Sequence, residues 1–442
     1  MKKILLLLVA TTALQMQSQT QCWRDLSYGG GSNLFALRND NSLWAWIPTE
    51  TATLEVFAQI GTDSDWQMVS AGDHHGLAIK IDGTLWAWGW NMDGQLGNGT
   101  STNTTTPIQV GTDNDWHLVS GGGWHTLAIK NDGTLWAWGS NYNGQIGIND
   151  FGPHQVPMQV GTDTDWQTIS AGYDHSMALK NDGSLWGWGA NYSGELGFGY
   201  NMVSQVRTPT RVNSDNDWKT ISTGMWVTAA IKNSGTLWMW GNNYHGTQAT
   251  GDTQDVHAVR QVGTDADWLD VSTEMQFTLA LKTNHTIWSW GSGSFGQQGN
   301  GTTDTHLFPV QIGSVVTWEK ISSNLYHGGG IRNDDRFYTW GHNFTGGSNP
   351  HVIGCTALGS SSETEVKPLA VYPNPTQDYL QIFNPENETL SKLTITDLTG
   401  KIVLHQNAPQ HPIDVSQLQQ GVYLLHLQLG DDDKRTQRFI KQ

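Results

Sequence analysis

Two sets of residues in this 442-residue chain recur with the types and spacing that ligand chemistry asks for. Carboxylates repeat as Asp-x-Asp at Asp63/Asp65, Asp113/Asp115, Asp163/Asp165, Asp215/Asp217 and Asp265/Asp267, and Val315-Val-Thr317 stands at the corresponding later place. Clustered carboxylates suit calcium, but a calcium site needs about six or more oxygens. Each pair offers two side chains and no glycine-bounded calcium loop follows, so bonds to nearby turn amides are the favoured reading. Imidazoles recur as His75, His125, His175 and His327, at a position that is Asn33, Val227 and Phe277 in other copies. Zinc would need several of them around one ion. Val and Phe at the same place point instead to a packing or hydrogen-bonding slot. Gly291-Ser-Gly-Ser-Phe-Gly296 has the letters of a dinucleotide fingerprint, but no helical pattern follows it. No nucleophile elbow, metalloprotease helix, phosphate loop or cysteine metal cluster stands out, and no acidic pair is distinguished as a glycosidase dyad. The expectation is a chain without catalytic residues, metal or cofactor.

The elements that position these residues come from a repeat. A tryptophan stands at 23, 66, 116, 166, 218, 268 and 318, and an aromatic pair follows each: Trp44/Trp46, Trp86/Trp88, Trp136/Trp138, Trp186/Trp188, Trp238/Trp240, Trp288/Trp290 and Tyr338/Trp340. Each of the seven units parses into four short strands. In the third, His117–Ser120, Thr126–Lys130, Thr134–Gly139 and Pro157–Val160 are strands, with Asn131-Asp132-Gly133 as a hairpin turn. Both faces of the middle strands are apolar, which fits sheets stacked around an axis, with the aromatic pairs packing between them.

Strand alternation assigns the loops to ends. First-to-second turns and third-to-fourth loops share one end; the hairpins and the Asp-x-Asp junctions share the other. The first end is rich in aromatics that differ between copies: Trp124, Tyr173, Trp226 and Tyr326 in the turns, and Trp90, Tyr142, Tyr192, Tyr244 and Phe344 in the loops. Aromatics supply contact area at low entropic cost and stack on sugars or anchor protein partners, so these nine are the candidate binding residues. The competing reading is that they pack within their own loops.

Ser170-Ala-Gly-Tyr-Asp-His-Ser-Met-Ala-Leu179, Asn181-Asp-Gly-Ser-Leu-Trp-Gly-Trp-Gly189 and Asn191-Tyr-Ser-Gly-Glu-Leu-Gly197 resemble the regulator of chromosome condensation repeat family. The resemblance spans about Cys22 to Cys355 and implies a seven-bladed β-propeller. Unit one departs from it, lacking the Gly-x-Asn-x-x-Gly-Gln-Leu-Gly stretch, and units five and six carry weakened versions. Roles known in the family include nucleotide exchange on a nuclear GTPase and inhibition of β-lactamase, and fold alone licenses neither.

Met1 to about Thr20 reads as a secretory leader: Lys2 and Lys3, then a short, mostly apolar run from Ile4 to Ala13 that is too short to span a bilayer. Beyond the propeller at 22–355 come a polar linker at 356–365 and a final segment at 366–442 with strand-like runs, read as a small β-sandwich. That segment is similar to the C-terminal sorting domains of the type IX secretion system, through Tyr372-Pro-Asn-Pro375, Asp397-Leu-Thr-Gly-Lys401, Gly421-Val-Tyr423 and Phe439-Ile-Lys-Gln442. The resemblance implies a secreted or surface-attached protein that engages the type IX machinery.

Only two cysteines exist, Cys22 and Cys355, at the two cut ends of a linker that is continuous between the other units. In an oxidising compartment a Cys22–Cys355 disulfide would clasp the ring, closing a loop of roughly 330 residues worth up to about 5–6 kcal/mol. The formal charge of −17 repels phosphate backbones and makes nucleic acid an unsuitable partner. The expectation is an all-β, seven-bladed propeller that binds an extracellular protein or glycan. The alternative is a polysaccharide hydrolase or lyase acting at the propeller mouth.

Overall fold

The computed structural model describes residues 20–30, 33–47, 56–199, 203–342, 347–353, 356–357, 370–372, 378–383, 390–398, 400–407, 409, 413–429 and 433–441. The chain divides into two compact units at Ser360/Ser361. In the first, seven four-stranded antiparallel sheets follow one another from Trp23 to Ile353 among the described residues, each with its strands in chain order. Blade three is typical, with strands Trp116–Gly121, His125–Lys130, Leu135–Gly139 and His154–Gln159. Its second strand is buried along its whole length, because a blade stacked between two others has no solvent face.

The hairpins follow from Asp-Gly. Gly133 has φ +79°, and a side chain there would collide with the Thr164 carbonyl of the following junction. Asp132 accepts the Thr134 amide at 3.0 Å, which fixes the turn.

One serine per blade holds neighbouring blades together. The Oγ atoms of Ser27, Ser70, Ser120 and Ser170 accept the amides of Ala71, Gly121, Ala171 and Thr223 at 2.9, 3.1, 3.0 and 3.0 Å. Ser222 and Ser272 do the same for Thr273 and Ser323 at 3.1 and 2.9 Å. Ser322 accepts the Tyr28 amide at 3.0 Å, which carries the pattern from blade seven to blade one. Between these contacts lie apolar clusters shared by adjacent blades, such as Leu77, Ile79 and Leu85 with Trp116 and Trp138.

The junction between blades seven and one copies the internal ones although no continuous linker spans it. The Trp23 amide bonds the Asp335 carbonyl at 3.0 Å, as Trp116 bonds Gly83 at 3.1 Å. Asn39 bonds the Cys22 carbonyl at 2.9 Å, as Asn131 bonds Asp115 at 2.8 Å. The backbone of Thr20–Gln21 pairs with Thr356–Ala357. Of the expected leader, all but Thr20 lies outside the described residues. Cys22 is buried and disulfide-bonded; Cys355 lies outside the described residues.

The Asp-x-Asp junctions do something other than the turn capping expected of them. Each pair grips the lysine that ends the second strand: Lys180 Nζ lies 2.6 Å from Asp163 and 3.0 Å from Asp165. That ammonium also sits 4.8 and 4.9 Å from the ring centroids of Trp166 and Trp186. Lys80, Lys130, Lys232 and Lys282 repeat the arrangement. Burial alone would lower each lysine's pKa, but the two carboxylates outweigh it and hold the ammonium above its ordinary value.

The second unit holds one sheet of 370–372, 379–383 and 413–414 and another of 390–397, 402–407, 421–429 and 433–441. Leu380 and Ile413 from the first sheet share a core with Leu393, Ile395, Leu425 and Phe439 from the second, a small sandwich.

Removing one serine hydroxyl tests the inter-blade bonds. Ser120→Ala leaves the Ala171 amide without its partner and is expected to lower stability by about 1–3 kcal/mol, read by equilibrium denaturation.

Candidate functional site

Backbone bonds establish which loops share an end. In blades two to seven a residue at the end of the third strand donates to the carbonyl of the last turn residue between strands one and two. Trp90 bonds His74, Ser140 bonds Trp124, Ala190 bonds Asp174, Asn242 bonds Trp226, Ser292 bonds Gln276 and His342 bonds Tyr326, all within 2.7–3.1 Å. The turns and the long loops therefore lie together, as strand alternation requires.

Of the nine aromatics expected there, Trp90, Trp124 and Tyr173 form one group. His74 joins them, its ring 5.1 Å from Trp90 and 4.4 Å from Trp124. Trp124 Nε1 donates to the Tyr173 hydroxyl at 3.1 Å. Tyr192 donates to Asn143 Oδ1 at 2.9 Å, so Tyr192 and the neighbouring Tyr142 edge the same region. A groove of about 440 Å³ runs between Met92, Asp93, Trp124, Tyr142, Tyr173 and Asp174. Trp90 is 48%, Tyr142 59% and Tyr192 58% exposed, so loop packing does not consume them. Tyr326 belongs to a second group with Phe295 and His342, at 5.3 and 6.0 Å. Tyr244 stands apart at 73% exposure, against its neighbour His245. Trp226 lies in its turn with φ +61°, a conformation that large side chains rarely adopt. Phe344 lies outside the described residues.

Carboxylates accompany the rings. Asp73 and Glu274 line a cavity of about 160 Å³ on the propeller axis, and Tyr173 lines both that cavity and the groove. Asp73 accepts the Gly30 amide at 3.1 Å, and Glu274 accepts that of Met225 at 3.1 Å. Burial holds both above the usual carboxylate range, and the Asp73 charge pushes Glu274 further. Burial, with the Asp73 charge adding to it, raises Asp174 to about 6. Glu195 is fully buried and raised to about 7 by desolvation. It accepts the Ser193 amide at 2.7 Å, the bond that Gln95, Gln145 and Gln297 make in their own loops.

Three of the four recurrent histidines fill the packing or hydrogen-bonding slot expected of them in the same way, while His327 bonds Asn324 and the His342 carbonyl of its own blade. His75, His125 and His175 are buried and bond Thr126, Ser176 and Thr228 of the next blade at 2.9–3.0 Å. Each of those hydroxyls donates onward to a loop carbonyl. Desolvation drives all three imidazoles down to about 3, so they stay neutral. Among the described residues no group of three or more His, Cys, Asp or Glu could hold a metal ion.

Seven blades with this register find their match in a known family. A family model described as the RCC1-like domain matches residues 47–384. The chain belongs to the RCC1-like domain family. The match begins at the end of the third strand of blade one, the blade that lacks the Gly-x-Asn-x-x-Gly-Gln-Leu-Gly loop stretch. Residues 370–442 match a secretion system C-terminal sorting domain, which marks the RCC1-like propeller for type IX secretion to the cell surface or the extracellular space. Similar solved structures include human WBSCR16, at 19% identity and TM-score 0.60 over 68% of this chain and 84% of that one. Another is Prp20p from Saccharomyces cerevisiae, at 18% identity and TM-score 0.59 over 66% and 78%. Identities this low carry the fold alone.

The variable loop aromatics do not by themselves point to His74, Met92, Asp93, Asn143, Phe295 or the carboxylates Asp73, Asp174, Glu195 and Glu274. Their signal was departure from the RCC1-like repeat: Asp73 stands where the next two units have Gly123 and Tyr173, and Glu195 where three others have Gln.

Glu195 yields a pH prediction. Its folded pKa lies above its ordinary value, so its contribution to stability is complete below pH 4.5 and is lost as pH rises through about 7. Glu195→Gln should therefore stabilise the chain at pH 8 by roughly 2–3 kcal/mol, with the gain vanishing near pH 4. Thermal melts across pH check the sign.

Proposed function

We propose that this RCC1-like propeller is a secreted or surface-held binding and adhesion module that engages an extracellular protein or glycan through its loop-bearing end. The observation that carries this reading is a groove lined by Trp124, Tyr142 and Tyr173, with the exposed Trp90 beside Trp124 and the exposed Tyr192 bonded to Asn143 at its edge. Solvent-exposed Trp and Tyr held on a rigid ring offer a preorganised contact surface whose ordering cost is already met by the fold. Prp20p, of the same fold, is described with its binding to Gsp1p and histones. The C-terminal sorting domain serves the secretion machinery.

Trp90→Ala, Tyr142→Ala and Tyr192→Ala combined should lower binding to native cell-surface or matrix material at least about tenfold. The melting temperature should hold, because these rings are exposed. Unchanged binding rejects this end as the interface. Incubation with polysaccharides that releases new reducing ends or unsaturated products rejects the binding-only reading in favour of a hydrolase or lyase.

The Cys22–Cys355 clasp belongs to the same proposal, as protection for a ring exported to an oxidising space. It is supported by the bonded state of Cys22 and by the presence of a single other cysteine. Mass spectrometry of non-reduced peptides should find the two cysteine peptides linked, and free thiols at both positions would refute the clasp.

A further inference from the structure

Positive charge is divided unevenly between the two ends of the propeller. The turns between first and second strands and the loops between third and fourth strands contain eleven Asp or Glu residues and not one Lys or Arg. The cations of the repeat lie at the opposite end, where Lys80, Lys130, Lys180, Lys232 and Lys282 are occupied by their own aspartates. Arg207, on an outer strand, has its guanidinium stacked on Phe151 at 3.5 Å. His74 and His245, which share the acidic end, are held below their ordinary pKa by burial and add no charge near neutrality.

The carboxylates on the axis are also set against one another. Asp73 raises the proton affinity of both Glu274 and Asp174, so the three share one electrostatic field. The polar contacts of Asp73 and Glu274 include backbone amides, which stabilise a carboxylate without neutralising it. Tyr173 joins this mouth to the groove where Trp124 and Tyr142 present their rings. Carboxylates beside aromatic faces recognise an ammonium or guanidinium, through charge and through the ring quadrupole. The chain uses the same combination five times internally, each time for a lysine between two Trp rings and two Asp residues.

We propose that the loop-bearing end docks a lysine- or arginine-bearing segment of a partner protein. One cationic side chain enters the axial mouth between Asp73 and Glu274, and the flanking residues lie across Trp124, Tyr142 and Tyr173. This deepens the binding reading above and rests on it. Charge complementarity selects a basic protein segment over a neutral glycan: a sugar hydroxyl bonds a carboxylate but leaves the repulsion between Asp73 and Glu274 in place, whereas a cation relieves it.

The test uses the purified full chain and fluorescein-labelled peptides carrying lysine and arginine, with matched peptides in which glutamine replaces each basic residue, read by anisotropy. Basic peptides should bind and glutamine peptides should not. Asp73→Asn with Glu274→Gln should weaken binding by about tenfold or more, as expected when one side of a desolvated charge pair is removed. Asp252→Asn with Asp304→Asn, which neutralises two acids in outlying loops, should change it far less. The first pair of substitutions removes a repulsion, so an undiminished melting temperature certifies the fold. Equal losses from both pairs would reduce the effect to bulk charge and overturn the proposal, as would basic peptides that fail to bind. A neutral glycan whose binding is lost with Trp90, Tyr142 and Tyr192 but survives Asp73→Asn with Glu274→Gln would keep the face and overturn its cationic ligand.

Discussion

Closure of the ring is the constraint on which the rest depends. A blade buried on both faces is stable only when a neighbour covers each face, so six stacked blades with an open end would leave two apolar sheets in water. The inter-blade serine bond is short, directional and repeated at every interface, including the one where blade seven meets blade one. Because each Oγ accepts a backbone amide, the bond sets the register of adjacent first strands as well as holding them together. Packing then fills the wedge between blades with Trp, Leu and Ile.

The lysine clamps at the opposite end illustrate how a buried charge is made tolerable. Five second strands end in Lys, and in each of those blades two aspartates precede the junction tryptophan. In blades one and seven the aspartate positions hold Thr20/Cys22 and Val315/Thr317, and the second strands end in Arg38 and Arg332 instead. Those guanidinium groups lie flat on rings, 3.7 Å from the Trp44 centroid and 3.8 Å from that of Tyr338. An ammonium is a compact charge that needs carboxylates when it leaves water, while a delocalised, weakly hydrated guanidinium is well served by aromatic faces. The substitution of Arg for Lys thus tracks the loss of the aspartate pair within a single chain.

The fold was legible because repetition multiplies weak signals. One Asp-Gly hairpin is a guess; seven units, each with a junction tryptophan and an aromatic pair in register, define blade number, strand order and the end to which each loop belongs. The role of Asp163/Asp165 was not legible, because their partner Lys180 lies fifteen or more residues away and is brought to them only by the path of the first strand. Nor was the serine ring: Ser120 reads as a small residue near an axis until the amide of Ala171, fifty-one residues on, is placed against it. At the candidate face the exposed rings could be read from their variability between copies. The carboxylates among them could not, since their electrostatic coupling arises across the axis between blades two and six, a distance the sequence does not encode.

Variation between copies separates what the ring needs from what it carries. Gln145 holds its loop with a neutral amide, and Glu195 makes the same backbone bond with a carboxyl that burial raises to about 7. Asp73 occupies a turn position filled elsewhere by Gly123 and Tyr173, which satisfy the turn without a charge. In each case an uncharged alternative exists within the same chain, and desolvation makes the carboxylate the more costly choice for stability. Between blades the recurrent histidines are neutral and bonded and the clamped lysines are paired. Asp270 in the first strand of blade six is raised to about 6 by desolvation, with the charges of Lys320 and Lys219 opposing the rise. Four raised carboxylates, Asp73, Asp174, Glu195 and Glu274, lie at the one end of the propeller where the rings are also left exposed. A surface that combines uncompensated carboxylates with open aromatic faces is incomplete as a folding solution, and what would complete it is a partner carrying positive charge.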